Sequence, residues 1–113
     1  MSIPQLTQSQ FETFVLIYAS HVDYDFCDEE MEFVKNQSTN KEYQEMYDLF
    51  NGISDYSSLK IILENKKRFL HSQSERQAFF EKIVTLFKVD GDYSRGEKVF
   101  LTFLKKMIAE HSY

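Results

Sequence analysis

Asp90-Gly91-Asp92-Tyr93-Ser94-Arg95-Gly96-Glu97 decides how this chain is read. Asp-Gly is turn chemistry: glycine admits a positive φ and the aspartate bonds its own backbone. Ser94-x-x-Glu97 has the form of a capping box, which satisfies the orphan amides of a helix start. Apolar positions at helical spacing lie on both sides. The stretch therefore reads as a corner between two helices. A blurred copy stands 67 positions earlier, Asp23-Tyr24-Asp25-Phe26-Cys27-Asp28-Glu29-Glu30. Both keep Asp-x-Asp, an aromatic residue after the second aspartate, and a glutamate five positions beyond it.

The same offset extends outward. Leu16-Ile17 pair with Ile83-Val84, Val22 with Val89, Phe33 with Phe100 and Val34 with Leu101. A lone helical hairpin cannot bury its own apolar face, but two facing hairpins can. The expected fold is therefore all-α: a single domain over 1–113, a bundle of six or seven helices with a pseudo-twofold internal duplication. The repeat halves span about 11–35 and 78–108, with middle helices over 41–65.

Taken in order, Thr7 to Val22 predicts a helix after Pro4, with Phe11, Phe14, Val15, Tyr18 and Val22 inward. Asp28 to about Lys35 predicts a second, with Met31 and Val34 inward. Lys41 to Phe50 predicts a third, closed by Asn51-Gly52 in the manner of a glycine after a helix. Ser54 or Ser57 caps a fourth that reaches about Asn65 and carries Leu59, Ile62 and Leu63. Lys66-Lys67-Arg68 then reads as a solvated helix end, with a basic patch for phosphate or an acidic partner, shared with Lys60, Lys105 and Lys106, as the competing reading; Phe69 and Leu70 read as core anchors. Ser72 or Ser74 caps a fifth helix to Phe87 with Phe80, Ile83, Val84 and Phe87 inward. The last runs from Ser94 to about Ala109, with Phe100, Phe103, Leu104, Met107 and Ile108 inward.

Composition bounds the function classes. With 113 residues the chain is long enough for a core without staples. Eleven Phe and seven Tyr suit that core, while three Gly and one Pro leave little for the turns of a β-rich fold. The net charge of −5 argues against general nucleic-acid binding, which needs a basic footprint. The longest apolar run, Phe14 to Ala19, falls far short of the roughly 20 residues of a membrane helix, so no membrane insertion is expected. One cysteine and a first segment without a basic region lead to an expected cytoplasmic location without a signal peptide.

The acidic corners are where chemistry is expected. Asp23 and Asp90 follow helix ends, where carboxylates face carbonyl oxygens and the negative end of the dipole. Asp23, Asp25, Asp28, Glu29, Glu30 and Glu32 crowd ten positions. Clustered carboxylates and carbonyls suit a hard cation such as Ca²⁺ or Mg²⁺. The candidate ligands are Asp23, Asp25, Glu30, Asp90, Asp92 and Glu97. An EF-hand does not fit: position twelve of the loop would be Val34 or Leu101, and position six would be Asp28 or Arg95. Helix capping alone is the competing reading, and it accounts for Asp90, Gly91, Ser94 and Glu97 without a ligand.

The repeated Asp-Gly-acidic-hydrophobic-Ser-x-x-Glu pattern, flanked by apolar helices, resembles the tellurite-resistance TerB-like domain over roughly Phe11 to Ile108. The first corner departs from the pattern at Tyr24 and Cys27. The resemblance implies an all-helical domain with a pseudo-twofold axis, an acidic centre for divalent metal, and a role in bacterial stress response beside membrane or signalling partners.

Other constellations are weak. Cys27 and His21 lack the spacing of a transition-metal site, and acidic surroundings disfavour a thiolate nucleophile. No phosphate loop, dinucleotide fingerprint or zinc-protease signature occurs, and no enzyme is expected. The expected partner is a protein or a second copy, held by aromatic residues of the middle segment (Tyr43, Tyr47, Tyr56, Phe69) left at the surface.

Overall fold

The computed structural model describes residues 4–21, 28–70, 72–88 and 95–110. These form six helices and no strand: α1 (Gln8–Ser20), α2 (Asp28–Asn36), α3 (Asn40–Asn51), α4 (Asp55–Phe69), α5 (Gln73–Lys88) and α6 (Arg95–Glu110). The all-α expectation holds.

Helix starts are set by short hydroxyl side chains. Thr7 Oγ1 accepts from the Gln10 amide at 3.1 Å while Gln10 Oε1 accepts from the Thr7 amide at 2.9 Å, a reciprocal box. Ser72 and Glu75 make the same box at α5, at 3.1 and 3.2 Å. Thr39 accepts from Glu42 N–H, and Ser54 from Ser57 N–H. Gly52 closes α3 with φ −90°, ψ −2°. Gly52 thus ends the helix where the sequence places its end, its amide donating to the Asp48 and Leu49 carbonyls.

The bundle is built around α1. The sequence predicts one apolar stripe, yet Phe11, Thr13, Phe14, Val15, Leu16, Ile17, Ala19 and Ser20 are all buried. Burial on every side is what a central helix requires. Its rings meet those of four other helices: Phe14 an edge of Phe50, Phe11 the rings of Phe69 and Phe79, Tyr18 that of Phe100. Centroid separations of 5.4 to 6.4 Å are within the attractive range.

Side-chain placement corrects several expectations. In α6 the core arc is Phe100, Leu101, Leu104 and Ile108. Phe103 lies about 100° round the helix from Leu104 and is 50% exposed. In α5 the buried set is Phe79, Ile83, Leu86 and Phe87; Phe80 and Val84 are only half-buried. In α4, Ile61 and Ile62 are buried, while Leu59 and Leu63 are intermediate. The middle aromatics are mostly not a surface patch: Tyr43 is buried, Tyr47 and Phe69 pack on the core, and Tyr56 alone of the four is exposed.

The segment before α1 is fastened by polar side chains of α4. Asn65, 3% exposed, accepts from Leu6 N–H at 2.9 Å and donates to the carbonyls of Pro4 at 3.1 Å and Ile61 at 2.9 Å. Arg68 donates to the Leu6 carbonyl. Pro4 therefore belongs to the arm that leads into α1. No helix among the described residues is long and apolar enough to cross a membrane.

Candidate functional site at the helix corners

Four of the candidate cation ligands, Asp23, Asp25, Asp90 and Asp92, lie outside the described residues, as do Cys27, Gly91 and Ser94. Glu30 falls in the first turn of α2, but its side chain is also outside them. Glu97 is described. It occupies the third position of α6 and is 5% exposed. Among the described residues no group of three or more His, Cys, Asp or Glu is placed to hold a metal ion.

The burial of Glu97 distinguishes it from its counterparts. Gln10, Glu42 and Glu75 hold the same third position in α1, α3 and α5, and each is exposed or half-buried. A carboxylate removed from water calls for hydrogen-bond donors or a positive charge. Glu97 is not without interacting groups. A glutamate early in a helix also lies near the positive end of the helix dipole.

The flanks of the two corners converge on one end of the bundle. Tyr18, in the last turn of α1, lies 5.7 Å from Phe100, one turn after Glu97. Phe100 also meets Phe87 at the end of α5, centroids 6.2 Å apart. The last turns of α1 and α5 are thus joined through the start of α6. Burial pushes the Tyr18 hydroxyl above its ordinary pKa, and the Asp55 carboxylate adds to this. His21 closes α1: its ring nitrogen Nδ1 donates to the Ile17 carbonyl at 2.8 Å, and the ring lies 4.8 Å from that of Phe50.

At the far end the basic run behaves unlike the expected solvated helix end. Lys66 is 2% exposed, and its ammonium donates to the Ile108 carbonyl at 2.7 Å. That carbonyl belongs to the last turn of α6, where a cation complements the dipole. Burial lowers the Lys66 pKa, and the positive charges of Arg76 and Lys67 lower it further. Lys67 itself is exposed, 3.7 Å from Glu64. Sequence reasoning missed Lys66 and Asn65 because their partners stand 42 and about 60 positions away.

A groove of about 740 Å³ runs between α5 and α6. Its floor includes Phe80, Val84 and Ile108, and its rim includes Arg76 and Lys105. The signal for it was present as an apolar pair, Phe80 and Val84, at helical spacing, but periodicity assigned that pair to the core. No protein-family model matches the chain, and no curated protein or solved structure shows significant similarity to it.

Proposed function

We propose that the chain is a non-enzymatic, TerB-like helical module whose two acidic corners bind a divalent cation, Ca²⁺ or Mg²⁺, in bacterial stress response or signalling. The observation that carries this reading is the buried Glu97 at the start of α6, one turn before Phe100, whose ring meets Tyr18 in the last turn of α1. In the sequence it belongs to an acidic corner, and the matching corner follows α1. Carboxylates of Asp23, Asp25, Asp90 and Asp92 with Glu30 and Glu97 would supply the hard oxygen donors such a cation prefers.

The proposal includes the duplication. Helix bounds support it: α2 begins at Asp28 and α6 at Arg95, positions that the offset pairs. Leu16 and Ile83 are both fully buried, as are Val34 and, nearly so, Leu101. On this reading α1–α2 and α5–α6 are two versions of one hairpin, and α3 and α4 are the middle pair.

A second reading is favoured by the caps. Thr7, Thr39, Ser54 and Ser72 all cap helices through the amide three residues on. Ser94-x-x-Glu97 extends the series, so the corners would serve only as caps in a protein-interaction domain. Thermal unfolding separates the two. A ligand at ten times its Kd adds about 1.4 kcal/mol to a folded state that alone binds it. Millimolar Ca²⁺ or Mg²⁺ is expected to raise the melting temperature of the wild type, and not that of the Asp23→Asn, Asp90→Asn double variant. An unchanged wild-type melting temperature selects the capping reading.

A further inference from the structure

The groove between α5 and α6 has a chemistry that the corners do not explain. The groove-facing side of α5 extends from Gln73 to Lys88, the whole helix, or about 24 Å at 1.5 Å per residue. α5 thus carries two apolar stripes. Phe79, Ile83, Leu86 and Phe87 enter the core; Phe80 and Val84 line the groove with Ile108 of α6. A second stripe at helical spacing, left half-buried by its own bundle, is what a docked helix would cover.

The charge around it is positive in a chain whose net charge is −5. Arg76, Lys88 and Lys105 line the groove against one acid, Glu81. Among the described residues neither Arg76 nor Lys105 lies within ion-pair distance of a carboxylate. Arg76 donates to the Leu70 carbonyl at 3.1 Å, and the Lys105 ammonium stands 5.6 Å from the Phe80 ring centre. Beneath Ile108 the buried Lys66 ammonium adds a further positive charge. Such a rim attracts anionic side chains and repels cationic ones.

We propose that the α5–α6 groove is a docking site for an acidic amphipathic helix of a partner protein, with apolar side chains on Phe80 and Val84, above the buried Ile108, and carboxylates at Arg76 and Lys105. This is independent of any cation at the corners.

The test uses the full chain and a fluorescein-labelled synthetic helix of about 16 residues, the length of α5, with a leucine stripe flanked by glutamates. A second peptide has lysines in place of the glutamates. The glutamate peptide is expected to raise fluorescence polarisation saturably and to shift amide resonances of α5 and α6; the lysine peptide is not. Arg76→Glu and Lys105→Glu are each expected to weaken binding about tenfold. Far-ultraviolet dichroism and melting of the two variants check that they fold, and the exposed Lys105 makes its variant the safer of the two. Equal binding of both peptides, no binding of either, or full affinity in a folded Lys105→Glu variant overturns the proposal. So does concentration-dependent self-association that shifts the same amides, which would make a second copy the occupant. Shifts produced by phosphatidylglycerol vesicles and not by the peptide would make it a membrane surface.

Discussion

Asn65 is the polar hinge between the arm and the bundle, and replacing it tests the packing argument quantitatively. Asn65→Ala removes three hydrogen bonds, to Leu6 N–H and to the carbonyls of Pro4 and Ile61. At about 1 kcal/mol each the loss is about 3 kcal/mol. The structure then has two options of similar cost. It keeps the arm and buries an orphaned Leu6 amide, or it releases the arm and exposes Leu6, whose side chain is 4% exposed and contributes about 2 kcal/mol. For a chain of this length about 3 kcal/mol corresponds to a fall of about 12 °C in melting temperature. Urea unfolding followed by circular dichroism measures it, with hydrogen exchange of the Leu6 amide as the local readout. Asn65→Asp sharpens the test. It keeps an acceptor for Leu6 N–H but turns a second oxygen toward two carbonyls. At neutral pH it is expected to be less stable than Asn65→Ala. The burial and the carbonyls raise the folded-state pKa of that carboxyl, so the deficit shrinks as pH falls toward the unfolded value near 4. A loss under about 1 kcal/mol in Asn65→Ala, with Leu6 protection unchanged, would refute the reasoning.

Three further outcomes follow from the same structure. Ser72→Ala removes one half of the α5 box and is expected to cost about 1 kcal/mol by chemical unfolding, with Ser74→Ala near zero. Leu104→Ala is expected to cost about 2–5 kcal/mol and Phe103→Ser little, since Leu104 is fully buried and Phe103 half exposed; equal losses would contradict the observed α6 orientation. Lys66 is charged at a cost: its folded-state pKa lies below 10.5, so the unfolded chain holds that proton to higher pH. Wild-type stability relative to Lys66→Met is therefore expected to rise as pH approaches 10.5, and a difference that stays flat or falls over that approach would contradict it. Tyr18 and Tyr43, both raised above 10 by burial, pull the other way above that pH in both proteins and cancel in the comparison.

Much of the architecture is legible in the sequence because helix starts and apolar spacing are local. Ser54 and Ser72, each one of two serines the sequence offers as caps, announce their helices from the residues beside them, and α2 begins at the predicted Asp28. What is lost is orientation. Phe79 and Phe80 are adjacent and equally apolar, and the docking of α5 against α1 sends Phe79 inward and leaves Phe80 in the groove. Phe103 and Leu104 are separated in the same way by the packing of α6. Lys66 shows a third limit. A lysine in a basic run reads as solvated, but its long stem reaches a carbonyl of a helix end that only the fold brings near. At the corners the sequence supplies the residue types, and the described helices supply flanks that share one end of the bundle through Tyr18, Phe87 and Phe100.

Isothermal titration of the full chain with Ca²⁺ tests the central claim most directly. The acidic-corner account predicts a saturable heat in the millimolar range or below, lost in the Asp23→Asn, Asp90→Asn double variant at unchanged fold. No saturable heat at millimolar Ca²⁺ and Mg²⁺, or the same heat in the double variant, would contradict it.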